Sequence, residues 1–126
     1  MTNHMRTSYM FETDFTKIVR EAIVYNQLER YFSPKGDELE NIQSHFDLVP
    51  DIDEIEKDKA SSGGLKLSHA QRRMLMLLIA LWEGNEADRI FAEGLGSIAK
   101  LIHSMDANNR ELTADLIITY PGWGKI

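Results

Sequence analysis

Nine uninterrupted apolar residues, Met74 to Trp82, constrain the fold of this chain more than any other feature. Side chains in such a run point in every direction around a helix, so the rest of the protein must cover the segment on nearly all sides. Ser68 and Gln71 precede the run with the spacing of a capping box, and Gly84 follows it as a helix terminator. The pattern predicts a central buried helix over residues 69–83, too short to cross a bilayer.

Apolar side chains recur at steps of three and four residues through most of the remaining chain, which is the period of a helix. The longest such stretch, residues 14–32, ends before Pro34 and Gly36 and is the expected main partner of the central helix. We therefore expect an all-α, single-domain bundle of about five or six helices around helix 69–83. Further helices are expected over 37–48, 86–93, 97–105 and 108–120, with a short turn or helix around Ile52 and Ile55. Thr13 or Asp14 is the expected N-cap of the first helix, and Asn108 that of the last. A short strand is the alternative for residues 116–120.

The length and composition of the chain define its expected domain organisation. A chain of 126 residues fits one domain and can bury a core without disulfides. Residues 1–10 are polar with scattered methionines, and we expect them to form a flexible N-terminal arm. Residues 11–126 then form a single helical domain. Its serine- and glycine-rich segment near 59–66 is expected to be a flexible internal loop.

The chain contains no cysteine. Disulfides, thiolate metal sites and cysteine nucleophiles are therefore excluded, and a reducing compartment is mildly favoured. No apolar run is long enough for a transmembrane helix, and the first ten residues do not have the pattern of a signal peptide. We expect a cytoplasmic protein that does not enter a membrane.

Negative charge is concentrated in one part of the chain. The protein carries a net charge of −6, but residues 37–58 alone hold nine acidic residues and one lysine, a net charge of −8. Such a balance disfavours binding to nucleic acid and permits a partner protein with a basic surface. An ordinary solvated face would have the same composition. The candidate contact residues in this acidic segment are Asp51, Asp53, Glu54 and Glu56.

The main basic cluster contains Lys66, Arg72 and Arg73. Two arginines near the start of a helix oppose its dipole, so a negative group should offset them. Pairing with the acidic segment 37–58 is the favoured explanation, and a phosphate or an acidic partner is the alternative. A nucleic-acid-associated regulator that uses these three residues is therefore the second functional hypothesis.

No catalytic, cofactor-binding or metal-binding residue can be assigned from the sequence. His45, His69 and His103 lie far apart, and none of them belongs to a known metal-binding spacing. A small enzyme whose site forms only in the fold is the third hypothesis. Trp123 is the last candidate contact residue because tryptophan is enriched at interfaces. The favoured interpretation of Trp123 is nevertheless that it folds back and closes the end of the bundle.

The preferred functional hypothesis is a small acidic, non-enzymatic protein that acts by binding another protein through the 37–58 region. Self-association through a helix face would make a second copy of the chain the partner. Neither interpretation requires a cofactor.

Overall fold

The computed structural model describes residues 11–91 and 94–124. Within these ranges the chain forms seven α-helices and one two-stranded antiparallel sheet, so the predicted all-α class is confirmed. The predicted arm, residues 1–10, lies outside the described residues. The elements are α1 (Glu12–Tyr25), β1 (Phe32–Ser33), α2 (Asp37–Glu40), β2 (Val49–Pro50), α3 (Ile52–Ala60), α4 (His69–Trp82), α5 (Gly84–Ile90), α6 (Ile98–His103) and α7 (Ala107–Thr119).

Helix α4 is the predicted central helix. Ser68 Oγ accepts a hydrogen bond from the Gln71 backbone N–H (3.2 Å), and Gln71 Oε1 accepts one from the Ser68 N–H (2.8 Å), so the capping box is confirmed. Every residue from Met74 to Ile79 is buried. The helix ends at Trp82, after which Glu83 has extended backbone angles. The sequence predicted that Gly84 terminates α4, but Gly84 is the first residue of α5.

Helix α1 ends well before the predicted boundary at residue 32. Gln27 adopts a left-handed conformation with φ of 57°, and its N–H donates to the carbonyl of Val24 (3.1 Å). The Leu28 N–H donates to the carbonyl of Ile23 (2.9 Å), which completes a Schellman motif. Glycine usually occupies the left-handed position of this motif. Because glutamine occupies it here, the sequence carries no signal for the end of the helix.

The helix predicted over 37–48 is interrupted. Helix α2 ends at Glu40, and a single 3-10 turn follows at His45–Asp47. His45 is buried, and its backbone N–H donates to Thr16 Oγ1 on α1 (2.9 Å). A continuous helix over 37–48 would have placed Phe46 on the same side as the buried Leu39, but Phe46 is 54% exposed. The contact of His45 with α1 therefore decides the backbone conformation here, and the helical spacing of apolar residues does not.

The N-caps of the first and last helices also differ from the prediction. Phe11 precedes α1 and makes no side-chain cap, and the cap of α7 is Asp106 instead of Asn108. Asp106 Oδ1 accepts a hydrogen bond from the Asn109 N–H (2.8 Å). Helix α7 continues to Thr119, so the helical interpretation of residues 116–120 is correct and the strand alternative is wrong.

The segment after α7 closes one end of the bundle. Trp123 is 4% exposed, and its Nε1 donates to the carbonyl of Leu48 (2.8 Å). The ring of Phe15 stands edge-on to Trp123 and to His45, with centroid distances of 5.8 and 5.0 Å. His45 Nε2 donates to the carbonyl of Gly122 (2.8 Å). Trp123 therefore has the closing role that the sequence favoured, and its indole is not an exposed contact surface.

The loop between α3 and α4 occupies residues 61–68. It starts later than predicted because Lys59 and Ala60 belong to α3. Lys59 Nζ donates to the carbonyl of Ile90, and Leu65 and Leu67 pack against the core. In the part of the chain described here, each helix is too short or too polar to span a membrane.

Candidate functional site

The acidic segment is held by basic residues of the same chain. Arg30 donates from Nε to Asp58 Oδ2 (2.6 Å) and from Nη2 to Asp58 Oδ1 (2.9 Å), and its Nη2 lies 2.6 Å from Glu54 Oε1. Tyr31 Oη also donates to Asp58 Oδ2 (2.8 Å). The hydrogen bonds from Arg30 and Tyr31 lower the pKa of Asp58 to about 2. Partial burial, followed by the bond to Asp58, raises the pKa of Tyr31 to about 12.

Two more of the candidate carboxylates are paired in the same way. Asp51 caps α3 by accepting from the Glu54 N–H (3.2 Å) and lies 3.2 Å from Lys35 Nζ. Desolvation opposes these bonds, but together they lower the pKa of Asp51. Glu56 receives a hydrogen bond from Arg89 Nη1 (2.5 Å). Such exposed pairs contribute little individually, but here they join α3 to three other parts of the chain.

Asp53 is the exception among the four acidic candidates. It is exposed, and it forms no ion pair with any residue that the structure describes. The acidic segment is therefore less available to a partner than its composition indicates, because three of its four candidate residues already bind basic side chains.

The arginines at the start of α4 contact the segment that follows α5. Arg73 Nη1 donates to the carbonyls of Gly94 and Leu95, both at 3.3 Å. The guanidinium of Arg72 lies 5.0 Å from the ring centroid of Phe91. Lys66, the third member of the cluster, is exposed in the loop before α4. The acidic segment, which the sequence favoured as the counterpart of these arginines, pairs instead with Arg30, Lys35 and Arg89.

The three histidines occupy separate places. His45 is buried beside Phe15, and burial lowers the pKa of its ring. His69 and His103 are exposed at the start of α4 and the end of α6. Across residues 11–91 and 94–124, no three His, Asp or Glu side chains are arranged to hold a metal ion.

A concave groove of about 800 Å³ lies between α1, α2 and α7. Its lining residues on α1 and on α7 recur at steps of three and four, so each helix contributes one continuous face. Helix α2 closes one side. The lining comprises Lys17, Arg20, Glu21, Val24 and Tyr25 on α1, Leu39 and Glu40 on α2, and Asn108, Glu111, Leu112 and Asp115 on α7.

Hydrogen bonds fix the walls of this groove. Arg20 Nη1 donates to the carbonyls of Glu40 (2.5 Å) and Ile42 (3.2 Å), which ties α2 to α1. Tyr25 Oη donates to Asp106 Oδ2 (2.9 Å) and accepts from Asn108 Nδ2 (3.1 Å), which ties α1 to the start of α7. These bonds within the chain hold the three walls of the groove in place.

The groove has an apolar floor and an acidic rim. Val24 is 52% exposed and Tyr25 is 45% exposed, and Leu39 and Leu112 also line the groove. Two basic and four acidic side chains line it, a net charge of −2. None of the four carboxylates forms an ion pair with a described residue. The four carboxylates are Glu21, Glu40, Glu111 and Asp115.

The sequence pattern does not predict this groove. Its residues come from three separate parts of the chain, and most of them are ordinary surface residues of a helix. One signal was present: Val24 falls outside the apolar stripe of α1, so an apolar side chain had to be exposed there. Comparison with known proteins finds no matching family model, no similar curated protein and no similar solved structure.

Proposed function

We propose that the protein acts by binding another protein, and that the groove between α1, α2 and α7 is the contact surface. The observation that carries the proposal is an apolar floor, with Val24 half-exposed, inside a charged rim. Exposed apolar surface surrounded by polar groups is typical of protein–protein contact sites. Because Arg20 and Tyr25 already fix the walls, a partner would not have to order them on binding.

The shape of the groove favours a polypeptide over a small molecule. Small ligands bury most of their surface in concave pockets, whereas this groove is open to solvent. A segment of another protein can cover an open groove and still expose its own outer face.

The proposed contact surface includes part of the acidic segment 37–58. Helix α2, which belongs to that segment, supplies Leu39 and Glu40 to the groove. The carboxylates of α3 and its N-cap support the proposal less, because four of them already pair with Arg30, Lys35 and Arg89. We place this binding role in the cytoplasm, on the basis of the cysteine-free sequence.

A matched pair of variants tests the proposal. Val24→Lys places a charge on the groove floor, and Ile98→Lys makes the same change at a 70% exposed position of α6 outside the groove. The tagged wild type and both variants are used for affinity capture from a lysate of the source organism, with quantitative mass spectrometry. We expect at least one protein to be recovered by the wild type and Ile98→Lys and to be depleted in Val24→Lys. Circular dichroism checks that both variants fold.

A third variant separates the groove from the acidic segment. Asp53→Lys reverses the charge of the exposed acidic candidate on α3. Captured proteins that are lost with Asp53→Lys but retained with Val24→Lys would move the contact to α3 and refute the groove proposal. Identical recovery by all the variants would also refute it.

A further inference from the structure

We infer that the occupant of the groove is a basic amphipathic helix of a partner protein. This inference rests on the proposed function and specifies the chemistry of the partner. Three properties of the groove carry it: its length, the state of the backbone in its walls, and its charge.

The length of the groove matches two turns of a helix. The lining residues of α1 extend from Lys17 to Tyr25, about 12 Å along the axis, and those of α7 extend from Asn108 to Asp115, about 10 Å. A helix placed between these walls would insert side chains at positions i, i+3 or i+4, and i+7. Two or three apolar side chains of the partner would therefore contact Val24 and its neighbours on the floor.

The walls favour a helix over an extended peptide. Both long walls are faces of α-helices, from Lys17 to the end of α1 at Tyr25 and from Asn108 to Asp115 on α7, so most of their backbone N–H and C=O groups bond within their own helix. An extended peptide gains affinity by hydrogen bonding to the free edge of a sheet, and these walls offer no such edge. A helix satisfies its own backbone groups, so it can enter the groove without leaving them unpaired.

The rim has four carboxylates against the two basic residues Lys17 and Arg20, and this excess of negative charge favours basic residues on the partner. Glu111 and Asp115 lie on the α7 wall, and Glu21 lies on the α1 wall. None of them is paired with a described basic residue, and Arg20 directs its guanidinium at backbone carbonyls. Lysine or arginine residues beside the apolar positions of the partner would meet these free carboxylates.

Selection from a display library of helical peptides, about four turns long, tests the inference with the full chain as the target. We expect the enriched peptides to carry apolar residues at helical spacing with lysine or arginine beside them. The best peptide is then measured by fluorescence anisotropy. Its affinity should fall about tenfold in the double variant Glu111→Lys with Asp115→Lys, since exposed charge pairs have small individual effects. It should also fall as salt is raised.

The matched control applies the same charge change outside the groove. Asp53→Lys with Asp88→Lys reverses two exposed carboxylates that do not line it, and should change the affinity less than twofold. Enrichment of acidic or uncharged peptides, no enrichment, or equal binding to both double variants would overturn the inference. If Val24→Lys still loses a captured protein in that case, the proposed function stands and only the basic-helix assignment fails.

A second copy of this chain is the competing occupant. It would give a dimer in light-scattering measurements of the wild type, and the mass would fall to that of the monomer in Val24→Lys. That result would overturn the assignment to a basic helix of a different protein. A wild-type monomer that binds the selected basic peptides supports the assignment.

Discussion

The buried contact between Asn26 and Asn109 gives a quantitative test of the structure. The two side-chain amides are 3% and 1% exposed and exchange reciprocal hydrogen bonds of 2.8 and 2.9 Å. In Asn109→Ala, Asn26 Nδ2 keeps its bond to the carbonyl of Ala22, but Asn26 Oδ1 loses its donor. A lost bond costs about 1 kcal/mol and a buried acceptor without a donor costs about 1–3 kcal/mol. We therefore expect Asn109→Ala to lower the free energy of unfolding by about 2–4 kcal/mol.

The neighbouring residue supplies the control. Asn108 is exposed, lies in the same helical turn, and donates to Tyr25 Oη. Asn108→Ala should cost less than about 1 kcal/mol, because water can replace that bond. Urea unfolding measures both values. The melting temperature of Asn109→Ala should fall by roughly 10 °C.

A double-mutant cycle decides whether the two asparagines act as a pair. Each single substitution leaves the other amide unsatisfied, whereas Asn26→Ala with Asn109→Ala removes both. The double variant should therefore lose less stability than the sum of the two single losses, with a coupling energy of about 1–3 kcal/mol. Additivity within about 0.5 kcal/mol, or an equal cost for Asn108→Ala and Asn109→Ala, would refute the reasoning.

Three other predictions test the core, the ion pairs and the closing segment. Leu78→Asp should unfold the protein, because Leu78 is fully buried and the new carboxylate would have no partner; a cooperative thermal transition of this variant would contradict the expectation. The pKa of Asp58 is lowered in the folded state to about 2, so its ion pair stabilises the fold above about pH 4 and ceases to do so as the pH falls to about 2. The urea midpoints of wild type and Asp58→Asn should differ at pH 7 and converge at pH 2; a constant difference would contradict this. Gly124→Ala should lower the melting temperature, because a Cβ at this position would collide with the carbonyl oxygen of Trp82. An unchanged melting temperature would show that the segment after α7 packs differently.

The sequence determined the features that depend on neighbouring residues. The capping box of Ser68 and Gln71 acts within one helical turn. The nine apolar residues of α4 surround the helix on every side, so the burial of six consecutive residues was predictable. The all-α class was predictable for the same reason, because helical periodicity is a local signal.

Only the tertiary structure decided the features that depend on distant residues. The helix predicted over 37–48 ends at Glu40, and His45 bonds instead to Thr16 on α1. The buried partner of Asn26 is 83 positions away at Asn109. The groove likewise needs the outer faces of α1 and α7 to lie side by side. Its exposed Val24 and its unpaired carboxylates are separately ordinary surface residues. They form one candidate binding surface because packing brings separate parts of the chain together, which no local pattern specifies.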